Sequence, residues 1–169
     1  PVPAGSGTFQ YPWEVTYGPA DSLWITESKG YKVYKMSPNT GVKRMVLDIS
    51  QSSTFLPLAE RATFNCQFAN GAGAQGGLAG LALHPNFLSG NNSVYISYIY
   101  SGSGSFFINK LVMFTYNVTT GLLQSPVALC DTLPGSNDHN SQRMIIAPTT
   151  LGGTDYKLFY ALGDMGAGQ

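Results

Sequence analysis

An internal period constrains this chain more than any other feature. Three times an apolar stretch runs into a proline-containing turn and then into a strand rich in β-branched and aromatic residues. The three are Val15 to Pro19 with Leu23-Trp24-Ile25, Leu78 to Pro85 with Val94-Tyr95-Ile96-Ser97-Tyr98, and Met144 to Pro148 with Leu158-Phe159-Tyr160-Ala161-Leu162. The marker prolines Pro19, Pro85 and Pro148 stand 66 and 63 residues apart, a spacing that suits one supersecondary unit per repeat. Between them lie more strand candidates rich in Val, Tyr, Ile and Phe. Tyr31 to Met36 and Val42 to Ile49, joined by the turn Asn39-Thr40-Gly41, complete the first unit, and Lys110 to Tyr116 with Val127 to Leu133 complete the second. Four strands per period is the makeup of a propeller blade. Helical periodicity is weak throughout, with Phe55 to Phe64 open to a short helix or a loop. The expectation is therefore an all-β propeller with long loops, its blades at about 13–50, 76–133 and, begun but unfinished, 139–169.

At about 64 residues per unit, 169 residues hold about two and a half blades, whereas propellers close with roughly four to eight. An unfinished blade leaves an apolar strand edge unpaired. The simplest expectation is that these residues are part of a longer protein; the other is a homo-oligomer in which two or more copies complete a ring.

Composition narrows the class. Only 11% of residues are charged, against roughly 25% in an average domain, while Gly (20), Tyr (10) and Phe (9) are plentiful; this agrees with a secreted or periplasmic β-protein. A net charge of zero argues against a nucleic-acid or anionic-membrane partner, both of which require a basic surface. No apolar run approaches the ~18 residues of a membrane span. The opening Pro1-Val-Pro-Ala-Gly-Ser-Gly7 has neither a charged segment nor an apolar core, so no signal peptide is legible in it. Asn91-Asn92-Ser93 and Asn117-Val118-Thr119 fit the glycosylation triplet, a pattern too common to fix a compartment.

Cys66 lies 19 residues before Pro85 and Cys130 lies 18 before Pro148. Equivalent points on neighbouring repeats are usually too far apart for a disulfide, which needs Cα atoms within about 7 Å. A zinc site from Cys66, Cys130, His84 and His139 finds no pair with ligand spacing. The run Gly71-Ala-Gly73-Ala-Gln-Gly76 satisfies G-x-G-x-x-G literally. A dinucleotide fold also needs a βαβ unit and an acidic residue about 20 positions on, yet no Asp or Glu occurs from Arg61 to Cys130. Gln75, within this loop, is a candidate ligand contact, because small neighbours allow close approach and an amide both donates to and accepts from a hydroxyl.

The segment Leu133-Pro-Gly-Ser-Asn-Asp-His-Asn-Ser-Gln-Arg143 places an Asp-His pair in a turn, and Gly163-Asp-Met-Gly-Ala-Gly-Gln169 delivers a second Asp and a Gln from the far end of the next strand. A histidine oriented by a carboxylate can remove a proton from a substrate hydroxyl near neutral pH. Asp138 or Asp164 could be that carboxylate. Asp and Asn beside His in a polar turn also commonly do no more than satisfy turn backbone.

The order of residues in these two segments closely resembles the soluble, quinone-dependent glucose/sorbosone dehydrogenases. Three upstream stretches are similar to the same family in the same order: Tyr17-Gly-Pro-Ala-Asp-Ser-Leu-Trp-Ile-Thr-Glu27, Gly76-Gly-Leu-Ala-Gly-Leu-Ala-Leu-His-Pro-Asn-Phe87 and Val112-Met-Phe-Thr-Tyr-Asn117. The resemblance covers about Trp13 to Gln169 and implies a six-bladed propeller of which this chain is the N-terminal portion. It implies oxidation of the anomeric carbon of an aldose sugar, with hydride passing to pyrroloquinoline quinone and electrons then to an external acceptor. Residue by residue, His139 matches the general base, Asp164 its supporting carboxylate, and Gln75, Asp138 and Gln169 the polar contacts to the sugar. His84 falls in a His-Pro-Asn-Phe turn and is expected to be structural. The family often ends its second motif Gly-Asp-Gln-Gly-Arg-Asn-Gln; here Ala167 and Gly168 replace the Arg and the Asn, so sugar or cofactor preference is expected to differ. The basic residues that clamp the quinone and the loop that holds calcium lie, in the resembled family, beyond the position of Gln169. Two other readings stand beside the enzyme: a non-catalytic extracellular binding propeller, and a carbohydrate or lactone hydrolase, for which nine acidic residues assemble no convincing carboxylate cage.

Overall fold

A computed structural model describes residues 8–50, 75–101, 107–136 and 138–166. Among them are ten strands and no helix: β1 Pro12–Gly18, β2 Ser22–Glu27, β3 Lys32–Met36, β4 Lys43–Asp48, β5 Leu78–Leu83, β6 Ser93–Ser101, β7 Phe107–Asn117, β8 Leu122–Gly135, β9 Ser141–Pro148 and β10 Tyr156–Leu162. They form two four-stranded antiparallel meanders, β1-β2-β3-β4 and β5-β6-β7-β8, and a β9-β10 pair. This is the architecture of a β-propeller, two full blades and the inner half of a third. The stretch Phe55 to Phe64, Cys66 and Gln169 lie outside the described residues.

Local chemistry accounts for the strand ends. Gly41 (φ +70°) and Gly121 (φ +69°) adopt the left-handed conformation that a glycine accepts without steric cost. Their N–H groups donate to Ser37 O (2.8 Å) and Asn117 O (2.7 Å), closing the β3-β4 and β7-β8 hairpins. Pro19 and Pro85 fall in turns beyond β1 and β5. β8 is longer than the expected Val127 to Leu133, beginning directly after Gly121. It carries Pro126 and Pro134 and shifts register against β7 three times, features tolerated in a strand at the edge of its sheet.

The core lies between the sheets. Trp24, Val33, Val46, Leu78, Leu81, Ile96, Tyr98 and Phe114 form one buried cluster between the first two, where the Trp24 ring meets Phe87 and Tyr116 edge-on at 5.4 and 5.3 Å. Thr26 Oγ1 donates to Ala79 O (2.9 Å) and Tyr31 Oη to Ile99 O (2.7 Å), tying the two sheets together. A smaller cluster of Ala82, Leu111 and Met144 joins the second sheet to β9.

The first strands of the three sheets lie side by side, β5 against β1 and β9. They run in the same direction: Leu78 N–H donates to Ser28 O (3.0 Å) at one end of β5, while Gly18, at the far end of β1, packs against Leu83. Each first strand carries one extra residue near its start. Pro12 pairs with Glu27 and Val15 with Ile25; Leu78 with Tyr98 and Leu81 with Ile96; Ser141 with Leu162 and Arg143 with Ala161. Just ahead of the bulge, Tyr11 O, Gly77 O and Asn140 O each accept an N–H at 3.0 Å, from Ser28, Ile99 and Gly163. A bulge re-aims the side chains around it, and here the same device recurs at the same end of all three sheets.

Candidate active site at the start of the third sheet

Counted back from the marker prolines, Gln75 and Asp138 are equivalent, both ten residues upstream, and Gly76 and His139 both nine. The candidate residues therefore occupy the segments that lead into β5 and β9, at one end of the sheets. The structure brings three of them together. His139 Nδ1 lies 3.1 Å from Asp164 Oδ1, and its Nε2 lies 3.6 Å from Asp138 Oδ1. The His139 and Asp138 side chains are about one-third exposed (30% and 29%), leaving the ring reachable from solvent.

The turn is held from both sides. Ser136 Oγ accepts the Asp138 N–H (3.1 Å) and Asp138 Oδ1 accepts the His139 N–H (2.9 Å). Buried Asn140 clasps Ser136, accepting its N–H at 2.8 Å and donating to its carbonyl at 2.7 Å. His139 itself sits at φ +45°, a left-handed conformation that costs a non-glycine residue energy and persists only where the surroundings enforce it. Gly163 is part of that enforcement: a Cβ there would run into the His139 carbonyl.

Electrostatics fix the ring. Asp164 Oδ1 accepts the Gly166 N–H (3.1 Å) as well as facing His139. The Gly166 N–H first, and the His139 hydrogen bond second, hold its carboxyl below the ordinary value of 3.8. It is therefore ionised at neutral pH and can only accept. The pairing puts a proton on Nδ1 of the neutral ring and leaves the Nε2 lone pair available beside Asp138.

Gln75 stands at the same end without joining the cluster; no hydrogen bond links it to Asp138, His139 or Asp164 among the described residues. Its loop is anchored by Lys29, whose Nζ donates to Gly76 O at 2.8 Å. His84 is at the other end of β5, where Nδ1 accepts the Asn86 N–H (3.1 Å) and the ring meets Tyr156 edge-on at 5.2 Å. Burial pushes its pKa down, in keeping with a neutral imidazole used as turn glue. A cleft of about 400 Å³ at that end is lined by His84, Tyr17 and Ile146 and by none of the Asp138, His139 and Asp164 cluster.

Sequence reading missed Asn140, Gly163 and the pair formed by Arg143 and Glu14. Arg143 Nη1 donates to both Glu14 carboxylate oxygens, at 2.9 and 2.8 Å, spanning from β9 to β1. Glu14, Gly80 and Arg143 are equivalent positions, five residues before their prolines, and only that comparison could have suggested the link.

The glucose/sorbosone dehydrogenase family matches residues 9–169. The chain belongs to that family. It is 31% identical over 163 residues to quinoprotein glucose dehydrogenase B of Acinetobacter calcoaceticus, covering 94% of this chain and 29% of that protein. Two solved structures share the fold. The PQQ-bound aldose sugar dehydrogenase of Streptomyces coelicolor has a TM-score of 0.60 at 19% identity, covering 81% of this chain and 35% of its own. The apo soluble aldose sugar dehydrogenase of Escherichia coli has a TM-score of 0.62 at 18% identity, covering 94% and 39%. The chain thus spans less than a third of the length of the curated relative. In this family frame, the described residues gather no group of three or more His, Cys, Asp or Glu that could hold a metal ion. The cations near the site are engaged by the protein itself, Lys29 with Gly76 O and Arg143 with Glu14. What the cluster presents is an imidazole held on Nδ1 by an ionised carboxylate with its Nε2 edge open to solvent, and no residue here is assigned to holding a quinone or calcium.

Proposed function

We propose that this chain carries the base and part of the sugar-contact surface of a quinone-dependent aldose dehydrogenase that converts the anomeric C–OH of an aldose to a lactone. The observation that carries the reading is the clamped imidazole: His139 Nδ1 on Asp164, Nε2 beside Asp138, ring edge open to solvent. Nε2 takes the anomeric hydroxyl proton as the C–H bond breaks, so positive charge does not build at that carbon. Asp164 holds the tautomer and stabilises the imidazolium that results. Asp138 and Gln75, in equivalent places on adjoining sheets, accept from and donate to sugar hydroxyls, and Gln169 extends that set. When bound, pyrroloquinoline quinone would supply the hydride acceptor; calcium and an external electron acceptor belong to the same reading, and none of the described residues is assigned to hold them. The tests are dye reduction with a panel of aldoses, with added quinone and calcium, on the longest protein containing these residues. Aldose-dependent reduction supports the reading. A folded, quinone-loaded protein that reduces no dye with any aldose would replace it with a non-catalytic binding propeller.

A further inference from the structure

Between the second and third sheets lies a buried polar chain that the reaction does not use. Gln142 is 1% exposed, Ser97 and Asn109 are fully buried, and the three come from β9, β6 and β7. Ser97 Oγ donates to Gln142 Oε1 (3.1 Å), and Gln142 Nε2 points to Gly77 O (3.4 Å). Tyr160 Oη, also placed against Ser97, donates to Asn109 Oδ1 (2.8 Å), and burial raises the Tyr160 pKa. A buried polar side chain is costly unless its groups are matched, and a matched one specifies a single arrangement; Gln142 is matched at both ends, whereas Asn109 Nδ2 has no partner among the described residues.

The placement of Gln142 is unusual in three respects. It is the extra residue of the β9 bulge, falling between the pairs made by Ser141 and Arg143. Its φ is +62°, beside Ser141 at +61°, a left-handed pair that residues other than glycine adopt only under constraint. Finally, its amide reaches the carbonyl two residues after Gln75 from a backbone three residues after His139. The Gly77 carbonyl has a second lone pair free for it, since the Ile99 N–H takes the first at 3.0 Å.

We propose that Gln142 is a positioning residue that sets Gln75 against the Asp138 and His139 turn, so that the two sugar-contacting segments act as one rigid surface. The inference rests on the dehydrogenase reading for its consequence and on the hydrogen-bond chain for its existence. The amide is needed for both of its ends: a carboxylate keeps the acceptor for Ser97 and loses the donor for Gly77, and a thioether of similar length loses both.

The test uses Gln142→Met and Gln142→Glu in the full-length, quinone-loaded protein, with amide hydrogen exchange measured beside aldose kinetics. The expected result for both variants is a KM for aldose about tenfold higher with a smaller change in kcat, because the sugar contacts and not the base are displaced. In Gln142→Met, exchange should quicken both at 75–78 and at 138–142. A KM equal to wild type with only a lowered Tm, or faster exchange confined to 141–143, would overturn the proposal. Should the wild-type protein oxidise no aldose, the dehydrogenase reading falls and exchange alone decides the tie: quickening in both segments upholds it, and quickening in one overturns it.

Discussion

The first and third sheets use the same backbone position for opposite purposes. Ten residues before its marker proline the first sheet has Phe9, whose ring meets Tyr34 edge-on at 5.5 Å and lies 4.1 Å beneath the Lys43 ammonium. The third sheet has Asp138 there, its carboxylate turned to His139. One position further on, Gln10 gives its N–H to Glu27 (3.0 Å), while His139 faces Asp164 across the strand pair. Even the partner position differs: Ser28 in the first sheet carries a side chain that donates to Tyr11 O (3.1 Å), whereas its equivalent, Gly163, has room for none. The bulge and the carbonyl contact are common to both sheets, so the repeat supplies geometry and a handful of residues ahead of each first strand supplies chemistry.

The contrast can be broken most severely at His139. In the full-length protein His139→Ala should lower kcat/KM for aldose by about 10³-fold, within the range of lost general-base catalysis, with circular dichroism unchanged. Gly163→Ala comes next. Its Cβ displaces the His139 carbonyl, and a shift of about 1 Å at a reacting group can cost on the order of 100-fold in rate. Ser28→Ala, the matching change in the first sheet, loses one hydrogen bond, worth about 1 kcal/mol in denaturant melts, and leaves the rate alone. If Gly163→Ala were as quiet as Ser28→Ala, the third sheet would not be special.

Gln75 and Phe9 sharpen the same comparison at smaller scale. Gln75→Ala should raise KM by about tenfold through lost sugar hydrogen bonds and leave Tm within a degree or two. Phe9→Ala should do the reverse, lowering stability by about 1–2 kcal/mol for a half-buried ring with KM unchanged. On stability alone, the smallest effect belongs to Asp164. Its folded-state pKa lies below 3.8, so its contribution to stability is complete above about pH 4 and is lost as the pH falls through the folded value. A plot of Tm against pH for Asp164→Asn should run below wild type near neutrality and converge with it in acid. Curves that stay parallel to the lowest pH would show that the pairing with Gly166 and His139 contributes nothing.

Much of the fold was legible because its signals are local. Pro19, Pro85 and Pro148 mark the period, β-branched and aromatic runs mark β2, β6 and β10, and Asn39-Thr40-Gly41 marks its hairpin. What escaped was irregular: Pro12 at the start of β1, the polar Ser141-Gln142-Arg143 at the start of β9, and the two ends of β8, with Pro126 and Pro134, that lie beyond the expected Val127 to Leu133. Bulges break the alternation on which a strand is recognised. At the site, Asp138, His139 and Asp164 were legible as residue types in order. Asn140, Gln142 and Gly163 were not, since their partners are backbone groups or buried side chains brought close only by the packing of sheets, and nothing in a linear pattern announces a carbonyl that will lie against a glycine.

The central claim is that the His139 imidazole removes the anomeric proton, and chemical rescue tests it most directly. Aldose oxidation by the quinone-loaded, full-length His139→Ala protein would be followed as free imidazole is added. The account predicts a rate about 10³-fold below wild type that climbs with imidazole concentration, because the vacated pocket between Asp138 and Asp164 can hold the free base. A variant that oxidises aldose at the wild-type rate without imidazole would contradict it.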